Sequence, residues 1–185
     1  MKELVFLLEE PSAKRLLQGL LPRILPSNFQ FRYIVFEGKQ HLEKHMGSKL
    51  RAWQTPGAKF VVLRDQDSGD CKVVKQGLVE KCAQSNRPDT LVRVACRELE
   101  AWIVGDLAAF AKEFTAPQAE KQKNKGKFVD PDTLADPVKE LRVFCPEYKK
   151  GDGAERMGLR LDPETNQSGS FRAFCDGVLR LAAHG

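Results

Sequence analysis

The sequence predicts an α/β fold, a mostly parallel sheet of about four strands with helices on both faces and a helical part at the C-terminal end. Three observations lead there. Short apolar runs rich in Val, Ile, Leu and Phe recur at residues 3–8, 29–36, 60–63 and 90–96. Stretches with apolar residues at helical spacing separate them. Acids follow the first, third and fourth runs, where an open parallel sheet presents its carboxyl edge and gathers its chemistry.

Taken in order, residues 3–8 (ELVFLL) read as the first strand, ending in Glu9-Glu10-Pro11-Ser12. Ser12 is a suitable N-cap for a helix over 13–25, where Leu16, Leu17, Leu20, Leu21 and Ile24 recur at helical spacing, and Pro22 is expected to bend or shorten it. Residues 29–36 form the second strand, Gly38 breaks it, and a helix over 41–53 leads through Thr55-Pro56-Gly57 to the third strand. A helix over 71–83, a turn at 86–89 and a fourth strand at 90–96 follow. The chain then enters a second acidic cluster, RELEAW at 97–102, with a helix to about Val104. Gly105-Asp106 stops that helix and caps a new one over 107–114. Beyond it, 121–127 (KQKNKGK) reads as a mobile basic loop, 137–144 as a short helix, 148–156 (YKKGDGAER) as a glycine-broken basic segment, and 170–183 as an amphipathic helix. There are no repeats. The pattern is that of one domain over 1–185, with a core to about 115 and a helical, loop-rich extension over 116–185.

Composition sets bounds on function. Apolar residues at 42% and charged residues at 30% are ordinary for a soluble globular protein. The 30 Lys+Arg against 25 Asp+Glu leave a charge of +5, which permits a polyanionic partner without demanding one. Five cysteines with no CxxC pair read as reduced thiols, with neither disulfides nor zinc. No stretch has the length and apolarity of a membrane span or a secretory h-region, so the expected location is cytoplasmic.

The stretch KFVVLRDQDSGD at 59–70 concentrates the chemistry. Side chains two apart on a strand point the same way, so Asp65 and Asp67 would aim at one point. Two carboxylates about 4 Å apart repel by roughly 4 kcal/mol at an effective dielectric near 20, and a hard cation such as Mg²⁺ or Mn²⁺ turns that cost into binding. The same residues also suit a solvated turn after a strand. They do not form a calcium loop, because Asp70 stands at the turn glycine and Gln76 at the bidentate glutamate. In a parallel sheet Glu9, Asp65, Asp67, Glu98 and Glu100 all fall on one edge, as a divalent-metal phosphoryl-transfer site requires. The paired histidines His41 and His45 have no third ligand and read as surface residues, and Trp53 and Trp102 as anchors in apolar packing.

LLEEPS at 7–12, followed by a helix, resembles the glutamate motif of the TOPRIM fold, and Asp65-Gln66-Asp67 resembles its DxD motif. VLRDQD at 62–67, RELEAW at 97–102, YKKGDGA at 148–154 and SGSFRAF at 168–174 are similar more narrowly to a TOPRIM-like bacterial family, domain of unknown function 4276. That family is related in fold to the OLD-type nucleases, often encoded beside an ABC- or AAA-type ATPase and associated with phage defence. The resemblance implies a Mg²⁺- or Mn²⁺-dependent nuclease acting on DNA or RNA with a separate ATPase subunit. Glu9, Asp65 and Asp67 would hold metal, Glu98 or Glu100 would complete the shell or position water, with Glu100 placed among the ligands, and Lys149 or Lys150 would face the phosphate. Glu10 departs from the pattern, standing where the motif usually has glycine. Two other classes fit parts of the sequence. In a haloacid-dehalogenase-type phosphatase the Asp65/Asp67 pair would be nucleophile and acid, but Glu9 would be idle and the motif would normally lie on the first strand. A non-catalytic adaptor would bind an ATPase and use its acids structurally.

Overall fold

The computed structural model describes residues 2–183. Four strands, β1 (Lys2–Leu8), β2 (Phe29–Val35), β3 (Lys59–Asp65) and β4 (Leu91–Ala95), form one sheet in the order β2-β1-β3-β4, and every pairing is parallel. The crossovers are α1 (Pro11–Ile24), α2 (Lys39–Ala52) and α3 (Cys71–Ala83). After β4 come α4 (Glu100–Val104), α5 (Leu107–Glu113), α6 (Pro117–Glu120), α7 (Pro137–Phe144), α8 (Lys150–Gly158) and α9 (Gly169–Ala183). Among the described residues no helix is long and apolar enough to cross a membrane.

Strand parity divides the core. Leu4, Phe6 and Leu8 of β1, with Val61 and Leu63 of β3, pack in one apolar cluster against α1 and the helices that follow β4. Val5 and Leu7, with Phe60 and Val62, pack in another against α2 and α3. Because neighbouring side chains on a strand point to opposite faces, the same alternation carries to the strand ends and decides which acids can meet.

Two local expectations need correction. Ser12 is not the N-cap of α1: Glu10 is, Pro11 occupies the first turn, and the buried Ser12 hydroxyl donates to the Glu10 carboxylate. Proline suits that first position because its missing N–H has no helical partner there anyway. Pro22 does not shorten the helix, which runs to Ile24 and closes with the Leu25 N–H on the Leu21 carbonyl at 2.9 Å. In the last turn it removes one bond from a helix held by Leu16, Leu17, Leu20 and Leu21, all fully buried.

The glycine-broken basic segment 148–156 enters α8, which lies along α1. A Cβ on Gly19 would sit 2.7 Å from the Gly158 carbonyl carbon, and one on Gly158 would strike the Leu16 carbonyl. The glycines therefore let two helix backbones touch, and that gain outweighs their poor helix propensity. The lysine-rich 121–127 stretch is exposed, but it runs into a 3₁₀ turn (Gly126–Val129) whose Phe128 is buried, and Lys127 pairs with Glu140 at 2.6 Å.

Candidate functional site

The ends of β1, β3 and β4 meet at one edge. The Glu9 carboxylate accepts a hydrogen bond from the Asp65 backbone N–H at 3.1 Å and lies 3.9 Å from the Arg64 guanidinium. Burial raises the Glu9 pKa, and the charges of Asp67 and Glu10 raise it further against the pull of that N–H and Arg64. Arg64 is itself buried and pairs with Glu43 of α2.

Asp67 departs from the strand argument. β3 stops at Asp65, and Asp67 has a left-handed backbone with φ of 57°. The Gln66 and Asp67 N–H groups bond the Ala95 and Arg97 carbonyls at 2.9 Å, while the Arg97 N–H donates to the Gln66 side chain at 3.1 Å. The two loops are thus zipped together, so Asp65 and Asp67 do not share a strand face as their spacing suggested. Asp67 instead forms an ion pair with Lys39, in the first turn of α2, at 2.9 Å.

On the other face Lys150, the first residue of α8, lies 2.9 Å from Glu98 and 3.5 Å from Glu100. Glu100 has no solvent exposure, and neither carboxylate oxygen has a hydrogen-bond partner. Burial lifts its pKa from the ordinary 4.5 to about 7, with Lys150 opposing and Glu10 and Glu98 adding to the rise. Asp65 is pushed well above the usual carboxylate range, first by burial and then by Glu10, Glu100 and Glu9, with Lys150 again the opposing charge. Burial alone would lower the Lys150 pKa, yet Glu100, Glu98 and Glu10 around it more than reverse that. Lys149, the alternative phosphate-facing base, caps α8 and is exposed to solvent.

Glu10 therefore belongs to this cluster, although only the departure from the glycine motif drew attention to it. The signal that finds it is parity: Leu8 pairs with Leu63 across the sheet, so continuing the register sets Glu10 beside Asp65 and Glu9 beside Arg64. Lys39 has a weaker signal, its place immediately after the Gly38 that ends the second strand.

SGSFRAF has a definite role. The Ser170 hydroxyl, in the first turn of α9, accepts from the Cys96 N–H at 3.2 Å and the Trp102 indole N–H at 2.9 Å, and donates to Asp132 at 3.0 Å. Asn166 donates to the Trp102 carbonyl at 2.8 Å. These bonds grip both ends of the segment that carries Glu98 and Glu100.

Among the described residues no three His, Cys, Asp or Glu side chains are gathered closely enough to hold one metal ion. The chemistry of the donors nevertheless fits Mg²⁺ or Mn²⁺: they are carboxylate oxygens, and two of them, on Glu100, are buried without partners. Burial first, and neighbouring acids second, raise the pKa values of Glu9, Asp65 and Glu100, and a divalent cation would stabilise their charged forms.

No curated protein sequence matches the chain. A solved structure titled the C-terminal region of the Burkholderia pseudomallei OLD protein is similar over 98% of this chain and 97% of that one, with a TM-score of 0.59 and 15% sequence identity. The likeness shows the fold, the OLD-related, TOPRIM-like α/β arrangement implied by LLEEPS and DQD. The model of one family covers residues 8–179, from the end of β1 into α9, and the chain belongs to that family, the domain of unknown function DUF4276.

Proposed function

We propose that the protein is a divalent-metal-dependent nuclease that hydrolyses phosphodiester bonds of DNA or RNA. The observation that carries this reading is Glu100: a wholly buried carboxylate with no hydrogen bond to either oxygen and only the ion pair to Lys150 at 3.5 Å, beside Asp65 and Glu10. Leaving a charge in that state costs stability unless something binds there. A fold like that of the OLD protein's C-terminal region supports the same direction.

Mg²⁺ or Mn²⁺ held by Glu9, Asp65, Asp67 and Glu100 would supply Lewis-acid stabilisation of the phosphate in the transition state. The remaining work falls to the chain. Glu100 offers two unfilled acceptor oxygens to orient an attacking water in line with the scissile bond. Glu98 holds the Lys150 ammonium at 2.9 Å, poised to offset charge on the phosphate. Lys39, on Asp67, is a second cation at the rim. A separate ABC- or AAA-type ATPase subunit is the proposed partner, and co-purification under varied nucleotide conditions tests it. The reading as a haloacid-dehalogenase-type phosphatase makes Asp65 the nucleophile and leaves Glu9 idle.

The test is cleavage of plasmid and oligonucleotide substrates with Mg²⁺, Mn²⁺ or EDTA by wild type and Asp67→Ala, with and without an ATPase partner. Metal-dependent cleavage lost in the variant supports the nuclease. Equal cleavage by both proteins overturns the mechanism, and none by either favours the adaptor.

A further inference from the structure

Cys71 opens α3 and Cys96 follows β4, and their sulfur atoms lie 4.0 Å apart. Both are partly exposed, whereas Cys82, Cys145 and Cys175 are buried. Both also line a cavity of about 440 Å³, with Lys75, Arg93, Asp132 and Ser170 among its other walls. The only thiols in the described chain that are partly exposed are thus the two that touch each other, and they share an opening large enough for a small oxidant. We propose that Cys71 and Cys96 are an oxidation site that closes reversibly to a disulfide when the protein meets a peroxide.

The chemistry balances with the peroxide as oxidant. The Cys71 thiolate attacks one peroxide oxygen, the O–O bond breaks, and hydroxide leaves with a sulfenic acid formed on Cys71. The Cys96 sulfur then attacks that sulfenic sulfur, the S–S bond forms as the S–O bond breaks, and the hydroxyl departs with the Cys96 proton as water. A thiol reductant reverses the modification.

The position gives the bond a consequence. Cys71 lies just beyond the loop that carries Asp65 and Asp67, and Cys96 just before the one that carries Glu98 and Glu100. Those loops are already joined by the Asp67 and Arg97 backbone bonds. Bringing the sulfurs from 4.0 Å to a bonded distance of about 2.05 Å fastens the loop after β3 covalently to the loop after β4. A cross-link that alters how these two loops sit at a hydrolytic site costs roughly tenfold or more in rate, so the oxidised protein should be the inactive form. That consequence rests on the nuclease reading, whereas the cross-link does not.

The experiment treats the full chain with hydrogen peroxide, then with dithiothreitol, and follows intact mass, non-reducing peptide maps and nucleic-acid cleavage. The expected result is loss of the mass of two hydrogens, a peptide joining Cys71 to Cys96, reversal by the reductant, and no such product in Cys71→Ser or, separately, Cys96→Ser. Cleavage should fall roughly tenfold on oxidation and recover on reduction in wild type, and stay unmoved in the two variants. Absence of the joined peptide, or random cross-links to the buried cysteines, overturns the site. A formed disulfide with unchanged cleavage overturns the regulation. No cleavage by the reduced protein overturns the nuclease reading instead, leaving the cross-link to be decided by mass alone.

Discussion

The two faces of the sheet handle the same residue type in opposite ways. On the α2 side, Glu9 and Glu43 flank the buried Arg64, Lys81 approaches Glu43 at 4.0 Å, and each acid has a cation within reach. On the α8 side, Glu10, Asp65, Glu98 and Glu100 crowd a single lysine, and the pKa values of Asp65 and Glu100 are raised first by burial and then by the neighbouring acids. The first arrangement is nearly neutral. The second holds more negative charge than Lys150 can balance, which is the condition under which a protein site binds a cation or a protonated ligand. One sheet edge thus carries acids balanced by cations on one face and acids in excess of their cation on the other.

The largest expected effect contrasts one carboxylate from each side. Asp65→Ala should lower metal-dependent cleavage by about 100-fold or more, whereas Glu43→Ala should leave cleavage within a fewfold of wild type. Initial rates on a plasmid substrate measure both, and a comparable loss in Glu43→Ala would erase the distinction between the faces.

The second expectation is a pH dependence. Glu100 is raised in the folded state from 4.5 to about 7, so the folded protein binds a proton that the unfolded chain has already lost. Stability should therefore be greatest below about pH 4.5 and decline as pH rises to about 7, by on the order of 2–3 kcal/mol from this group. In Glu100→Gln the decline should flatten, since the amide keeps the shape without the titration. Urea midpoints measured in steps from pH 5 to pH 8, without metal, test this, and an unchanged slope in the variant would assign the effect elsewhere. Added Mg²⁺ should restore stability at the alkaline end in wild type alone.

Ser170→Ala sharpens the comparison from a distance. It leaves the Cys96 and Trp102 N–H groups and Asp132 short of a partner, which costs about 1–3 kcal/mol. It should also lower kcat more than it raises KM, because the acidic segment is loosened while the substrate surface stays. Ser170→Thr keeps the hydroxyl and should recover most of the kcat. The smallest effect belongs to Lys39→Ala: its pair with Asp67 is half-exposed, and thermal unfolding should register a change under about 1 kcal/mol.

Sequence periodicity determined a good deal of this protein. Apolar runs such as ELVFLL and FVVL announce buried parallel strands because both of their faces are covered by helices, and the acids beyond them mark the sheet's reactive edge. Those properties are local, written into neighbouring residues. What only the tertiary structure decided is the pairing of distant ones. Lys150 reaches Glu98 and Glu100 because Gly19 and Gly158 allow α8 to lie against α1, and a run of lysines and glycines viewed alone gives no hint of that contact. Asp67 leaves the strand and pairs with Lys39 because the loop after β3 bonds to the loop after β4, overriding the strand spacing. Glu100 became a buried acid without hydrogen bonds because Ser170 and Asn166, from far along the chain, hold Trp102 and so fix the segment around it. Charge and spacing belong to the chain, but desolvation depends on what covers a residue, and the helices that cover this one lie dozens of positions away.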